Sequence, residues 1–181
     1  MAERNLYYIA ILPPEPCYSY VLKQKEYFAE HHESKASLKS PPHITVHMPF
    51  KLKEKKELIL QEKLKSLTVN RKSFNLLIDG YGHFNERVVY LHVNKPDGLQ
   101  LLFEEVRKCM KINFNQFNAD YKNRGYNPHI TIAFRDLKKE EFRKVWPKLK
   151  DKEVHFDFEV SSFTLLKHNG KSWDVFKTFK F

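Results

Sequence analysis

The sequence predicts an α+β fold built by duplication, with helices outside mainly antiparallel sheets. Three observations carry this expectation. The tripeptide His-Ile-Thr occurs at 43–45 and again at 129–131, in the flanks PPHITVHMPF (41–50) and NPHITIAF (127–134). The copies lie 86 residues apart (129 − 43) in a chain of 181, so the same strand recurs at the same place in each half. Apolar spacing also switches repeatedly between the period of two of a strand and the helical period. No Gly/Ser-rich linker separates the halves, so they are expected to share one body.

The elements follow in order. Residues 6–12 (LYYIAIL) read as a buried strand stopped by Pro13 and Pro14. Tyr18, Val21, Leu22, Lys25 and Phe28 recur at helical spacing and predict an amphipathic helix over 17–32. Pro41 and Pro42 end the loop before the first His-Ile-Thr strand, in which Ile44, Val46 and Met48 point opposite to His43 and Thr45. Leu60, Leu64 and Leu67 mark a charged helix over 54–67. Residues 74–84 and 87–93 are two strands joined at Asn85-Glu86. A helix carrying Leu99, Leu102, Phe103, Val106 and Met110 follows Pro96-Asp97, and a polar loop covers 115–127. After the second His-Ile-Thr strand, Phe142, Val145, Trp146 and Leu149 mark a fourth helix. Val154, Phe156, Phe158 and Val160 alternate strictly with polar residues and predict one long, half-exposed strand over 153–167. His168-Asn169-Gly170 then turns the chain into a last strand at 172–180. Connections through helices leave room for some parallel neighbours.

The composition is that of a globular chain: 41% hydrophobic, 14% aromatic and only five glycines. No run approaches 18 apolar residues and the first residues lack the pattern of a signal peptide, so no membrane partner is expected. Cys17 and Cys109 form no framework, which fits a reducing, cytoplasmic setting. The net charge of +10 points to an anionic partner such as a nucleotide, RNA or a phosphorylated metabolite, although many lysines also lie on solvated helix faces.

The repeated motif carries the chemistry. Strand alternation puts His43 with Thr45, and His129 with Thr131, on one face each. Two such pairs facing each other supply an imidazole acid–base pair and two hydroxyl clamps for a phosphate. A lone histidine in a strand is usually structural; the matched pairs lift these two above that reading. Arg135 lies two positions past Ala133 on the His129 face and would be a phosphate cation if the strand extends that far. Lys51 and Lys167 are weaker candidates. Tyr8 reads either as a substrate contact or as a packing tyrosine, and Phe84 either as a base-stacking platform or as hairpin packing. His47 reads as structural or as part of the rim. The remaining histidines show no ligand spacing, and no P-loop, GxGxxG or GxSxG motif is present, so neither metal nor cofactor is expected.

These residues resemble the two-histidine (2H) phosphoesterase superfamily, which includes bacterial 2′-5′ RNA ligase-like proteins and cyclic phosphodiesterases. HITV at 43–46 and HITI at 129–132 match its two His-x-Thr-x motifs. GYGHFNERVVYLHV (80–93) and the ending FTLLKHNGKSWDVFKTFKF are similar to its central paired strands and closing hairpin. The forms are most like small bacterial phosphoesterase-like proteins. The resemblance implies a bilobal LigT-like fold whose sheets line a central cleft, as one domain over 1–181 with two pseudo-symmetric lobes. It implies a metal-independent phosphodiesterase acting on a cyclic phosphodiester such as a nucleoside or RNA 2′,3′-cyclic phosphate, with 2′-5′ RNA ligation as a variant. His43 would then donate a proton to the leaving oxygen, His129 would activate water, and Thr45 and Thr131 would hold the non-bridging oxygens. The expected partner is a nucleotide or RNA with a cyclic phosphate end, met by a monomer. The alternative is a non-catalytic RNA- or nucleotide-binding module on the same fold.

Overall fold

The computed structural model describes residues 4–117 and 125–181. Eight strands and four α-helices are found among them, in the order β1 (Arg4–Ile11), α1 (Cys17–His31), β2 (Ile44–Lys53), α2 (Glu57–Ser66), β3 (Phe74–Phe84), β4 (Val88–Val93), α3 (Asp97–Phe114), β5 (His129–Ala133), α4 (Lys139–Leu149), β6 (His155–Val160), β7 (Ser162–His168) and β8 (Trp173–Lys180). The part of the expected 115–127 loop from 118 to 124 lies outside the described residues.

The described strands join one sheet in the order β6-β3-β4-β5-β2-β1-β7-β8, and every pairing among them is antiparallel, so none of the parallel neighbours left open by the sequence is found among the described residues. The two His-Ile-Thr strands sit at its centre, joined at the backbone pair Ile44↔Ile130. Both isoleucines are fully buried, each contributing about 1.5–3 kcal/mol by leaving water. The helices tie the halves crosswise: α1 packs on β5, and α3 packs on β2. Local chemistry explains several boundaries. Asn85 and Glu86 both adopt positive φ (49° and 53°) in a tight turn closed by the Arg87 N–H on the Phe84 carbonyl (3.1 Å), and Phe84 then pairs with Val88. Asn115 ends α3 in the left-handed region, where asparagine is tolerated.

Two expectations are corrected. The long strand over 153–167 is two strands, β6 and β7, separated by Ser161. β6 lies at one edge and pairs only with β3, while β7 lies between β1 and β8 near the other edge. One residue bridges positions at opposite ends of the sheet order, which requires the sheet to curl until its ends meet. There the Phe181 N–H donates to the Ser161 carbonyl (2.8 Å), and the Phe181 ring stacks on Phe74 and packs against Phe163. The apolar positions shift from even (Val154 to Val160) to odd (Phe163 and Leu165) across Ser161-Ser162, and this change of phase marks the break.

The second correction concerns β2. Its pairing with β1 shifts register between Tyr7 and Ala10, a bulge that breaks the alternation after Val46. Met48 is therefore 50% exposed and not on the Ile44 face, and His47 is buried against Phe50.

Candidate active site

Two faces result from this alternation. Ile44 and Ile130 join the main core beneath the helices, with Leu91, Phe163 and Leu165 from neighbouring strands. The opposite face carries a small separate cluster of Tyr8, Ala10 and Leu166, with Trp173 packed against it. His43, Thr45, His129 and Thr131 belong to this second face. Extending the Ile44↔Ile130 register by one residue each way sets His43 opposite Thr131, and Thr45 opposite His129. Residues so paired have Cβ atoms about 4.5–5.5 Å apart. Each imidazole thus stands across the seam from the other half's threonine, and the four groups form a compact square.

Both histidines are held in the same way. His43 Nδ1 lies 2.7 Å from the Pro41 carbonyl, and His129 Nδ1 lies 2.9 Å from the Asn127 carbonyl. In each case the partner is two residues earlier in the chain. A carbonyl only accepts, so Nδ1 carries the hydrogen in the neutral ring and Nε2 is left as the open acceptor. When the ring is protonated, Nε2–H becomes a donor. Either state suits proton transfer at Nε2.

A cavity of about 240 Å³ opens beside His43, and its wall includes Tyr8, Thr45, Thr131 and Arg135, whereas His129 and Phe84 are not among its wall residues. Lys25 and the hydroxyls of Ser37 and Ser40 complete its polar lining, with no carboxylate among the described wall residues. A cavity with cationic groups and no acid favours an anion. The ring of Tyr8 lies 4.9 Å from that of His43 and its hydroxyl is buried; burial pushes the phenol's pKa up. Tyr8 is therefore both a packing residue and part of the wall.

Arg135 reaches the cavity by another route than the one expected. β5 ends at Ala133, and Arg135 takes φ 66°, where the Asp136 N–H donates to the Phe134 carbonyl (2.8 Å) in a tight γ-turn. Such a φ for a bulky residue costs about 1–3 kcal/mol and needs outside support. Asp136 supplies it: its carboxylate accepts from Ser34 Oγ and from the backbone N–H groups of Lys35 and Ala36, each at 2.8 Å. Phe84 sits on the far side of His129, its ring 5.3 Å away and stacked on Tyr90. Lys51 is exposed and off the wall. Lys167 is held by Glu57 at 2.6 Å and lies over Phe176, away from the cavity.

Sequence reasoning missed three wall or flanking features. Lys25 was visible as a lysine standing in the apolar spacing of its helix. Tyr90 and His92 flank His129, and Gly82 makes their placement feasible: a Cβ there would come within 2.5 Å of the Tyr90 ring and 2.7 Å of His92 Nε2. Trp173 follows the 168–170 turn and packs edge-on against Tyr8. Among the described residues, no group of three or more His, Cys, Asp or Glu is placed to hold a metal ion.

Both imidazoles titrate below their ordinary range. Burial pushes His43 down to about 4, helped by the Lys25 charge and by His129, against the stabilising Pro41 carbonyl. Burial also lowers His129, with His92 adding to it and the Asn127 carbonyl opposing. A pair that needs one neutral and one protonated ring is most populated between its two pKa values. Above both, the protonated member is lost. The maximum of kcat/KM, which reports the free enzyme, is therefore expected on the acid side of about 6.5, the ordinary imidazole value. A kcat/KM profile peaking above pH 7 would contradict this electrostatic picture.

The sequence model of the 2′-5′ RNA ligase superfamily matches residues 13–172. A protein named "Putative phosphoesterase" from Geobacillus kaustophilus (strain HTA426) is 28% identical over 96% of this chain and 94% of its own length. A protein of the same kind from Geobacillus sp. (strain WCH70) is 31% identical over 77% and 78%. Among solved structures, TT0787 of Thermus thermophilus superposes with a TM-score of 0.67 at 18% identity, over 97% of both chains. E. coli LigT in apo form superposes with a TM-score of 0.64 at 20% identity, over 98% of both. At these identities the two structures establish the shared fold, while the sequence matches carry the family.

Proposed function

The chain belongs to the 2′-5′ RNA ligase superfamily, and from that premise we propose that it is a metal-independent phosphodiesterase. Its substrate is a cyclic phosphodiester such as a nucleoside or RNA 2′,3′-cyclic phosphate, opened to a monoester by His43 and His129. Ligation of a 2′-5′ RNA linkage would use the same site. The observation that carries this reading is the matched pair of imidazoles, each oriented through Nδ1 by a carbonyl two residues before it. The Nε2 of each ring is left as the open acceptor, that of His43 on the wall of a cavity with no acid among its described residues.

In this reading one Nε2 takes a proton from water while the oxygen attacks phosphorus. The other gives its proton to the departing ribose oxygen. Thr45 and Thr131 donate to the non-bridging oxygens, and Arg135 balances their charge. An arriving phosphate monoanion favours the protonated ring and offsets the desolvation that keeps both rings neutral in the empty cleft. The cavity is smaller than the roughly 300–1,000 Å³ of pockets that enclose a whole ligand. It therefore suits a phosphate and its ribose, with the base directed outward. Crystal structures of E. coli LigT with 3′-AMP and with phosphate show that this fold accepts such groups in that protein. The protein is proposed to act as a monomer in the cytoplasm, in keeping with its two buried, unpaired cysteines. No described helix is long and apolar enough to cross a membrane.

The test is turnover of nucleoside 2′,3′-cyclic phosphates and linear phosphodiesters in the presence of EDTA. Hydrolysis of a cyclic substrate that persists in chelator is the expected result. Activity lost in EDTA and restored by a divalent ion would remove the two-histidine mechanism. RNA binding in a gel shift without turnover would favour the binding module.

Thr45→Ala and Thr131→Ala are each expected to lower kcat/KM by roughly 1–3 kcal/mol, the range for one hydrogen bond to a charged group. Arg135 and the remaining threonine keep part of the phosphate contact, so neither change should match the loss of a histidine. Steady-state kinetics on the best cyclic substrate decide this.

A further inference from the structure

Two hydroxyls in the wall of the cavity beside His43 are buried and unpaired. Tyr8 is 3% exposed and Ser37 is 1% exposed, and neither the Tyr8 hydroxyl nor Ser37 Oγ meets a hydrogen-bond partner among the described residues. Ser40, on the same wall, is near enough to the phenol to oppose the effect of burial on its titration, yet the two hydroxyls are not in hydrogen-bonding geometry. Buried polar groups are almost always paired, so two orphans in one wall call for an explanation.

A loose segment does not explain them. Ser37 lies in a short 3₁₀ turn, Ala36–Lys39, that is held from both sides. On one side the Asp136 carboxylate accepts from the N–H groups of Lys35 and Ala36. On the other, the buried Lys25 of α1 donates from Nζ to the carbonyls of Ser37 (3.2 Å), Ser40 (3.0 Å) and Pro41 (3.3 Å). The Tyr8 ring is packed between His43 (4.9 Å) and Trp173 (4.6 Å). Both hydroxyls are therefore fixed in place before any ligand arrives, as a binding site requires.

The chemistry of this end of the cavity selects its guest. An ammonium has three N–H donors, and Lys25 uses all three on carbonyls. Tyr8 and Ser37 thus offer neutral hydroxyls, while the groups suited to a phosphate, Thr45, Thr131 and Arg135, stand elsewhere on the wall. A ligand hydroxyl fits such a pair, because it can donate to one and accept from the other at once. Tyr8, Lys25 and Ser37 are all at most 3% exposed, so the wall is closed here and a polymer cannot continue through it.

Resting on the phosphodiesterase reading above, we propose that Tyr8 and Ser37 form a subsite for a free hydroxyl of the substrate's sugar. In a nucleoside 2′,3′-cyclic phosphate both other ribose oxygens are bound to phosphorus, so the hydroxyl that remains is the 5′-hydroxyl. At an RNA end that oxygen is esterified. The subsite therefore favours a mononucleoside cyclic phosphate over the end of an RNA chain.

The test compares uridine 2′,3′-cyclic phosphate, its 5′-deoxy analogue and a dinucleotide whose 3′ uridine carries the cyclic phosphate. The wild type is expected to show a kcat/KM about tenfold or more higher on the first than on either of the others. The preference over the 5′-deoxy analogue should shrink in Tyr8→Phe and in Ser37→Ala, and fall to about threefold or less in the double variant. Equal rates on all three substrates, a preference for the dinucleotide, or a preference that survives the double variant overturns the proposal. If none of the three is turned over, the phosphodiesterase reading fails and calorimetry still decides the subsite. Uridine 3′-phosphate should bind the wild type about tenfold more tightly than its 5′-deoxy counterpart, and the double variant should bind both alike. Equal binding by the wild type overturns the subsite as well. Urea unfolding separates a structural role. An unpaired hydroxyl adds no stability, so neither variant should have a lower midpoint than the wild type. A lower midpoint in both would place these hydroxyls in the fold's own bonding and overturn the proposal.

Discussion

His43→Ala and His129→Ala are each expected to slow hydrolysis of a nucleoside 2′,3′-cyclic phosphate by about 10²–10⁴-fold, with the fold retained. The size follows from what each ring does. One proton transfer is lost in each variant, and no other imidazole can replace it. His47 is buried against Phe50, and His92, although beside His129, is one strand further from the seam. The fold should survive because both rings stand on the cleft face and not in the main core, while the seam rests on Ile44 and Ile130. Single-turnover kinetics with circular dichroism measure both halves of the expectation. A folded variant within threefold of wild type would remove that histidine from the chemistry.

Phe163→Ala is expected to cost about 3–5 kcal/mol of stability, the range for removing a buried phenylalanine. Phe163 is fully buried, is the second residue of β7, pairs with Phe179 of β8 and stacks on its ring at 5.1 Å. It also meets Phe181, whose backbone bonds Ser161 where the curled sheet comes together. Nothing nearby can refill the space without moving one of these rings, so the cavity remains. Against a typical total of about 5–15 kcal/mol, this is a large fraction. Urea unfolding should show a lower midpoint at unchanged slope. A loss under about 1 kcal/mol would mean that the aromatic group at the sheet's ends contributes little to holding them together.

The parts of the molecule set by nearest neighbours were legible in the residues. The hairpin at Asn85-Glu86, the helix following Pro96 and the common face of His43 and Thr45 follow from local backbone chemistry and period. Features set by distant pairing were not. The bulge that exposes Met48 is created by register with β1, and nothing within 41–50 encodes it. The break at Ser161 did leave a local mark, a shift of the apolar positions from even in Val154–Val160 to odd in Phe163 and Leu165, but its consequence, the transfer of the chain from one edge of the sheet to a place between β1 and β8, is set by distant pairing. Arg135 faces the cavity because Asp136 anchors a turn to residues 34–36, an interaction between the two halves. Lys25 looked like one more member of an amphipathic stripe, because a lysine can lay its stem on apolar surface and lift its charge to water. Here the charge is turned inward, and only the three carbonyls reveal why.

The single-residue link at Ser161 also dictates when this protein can be finished during synthesis. Tyr7 of β1 pairs with Lys167 of β7, 160 residues later (167 − 7). At roughly 5–20 residues per second, β1 waits on the order of ten to thirty seconds for that neighbour. During that interval the nascent chain presents one flank of an apolar strand whose Tyr7, Ile9 and Ala10 are fully buried in the finished protein. The wait ends only when the closing hairpin leaves the ribosome. Long-range pairing of this kind makes folding slow and couples the first strand to the synthesis of β7. A premature stop before residue 162 would therefore release a chain containing both His-Ile-Thr strands but lacking the partner that covers its first strand.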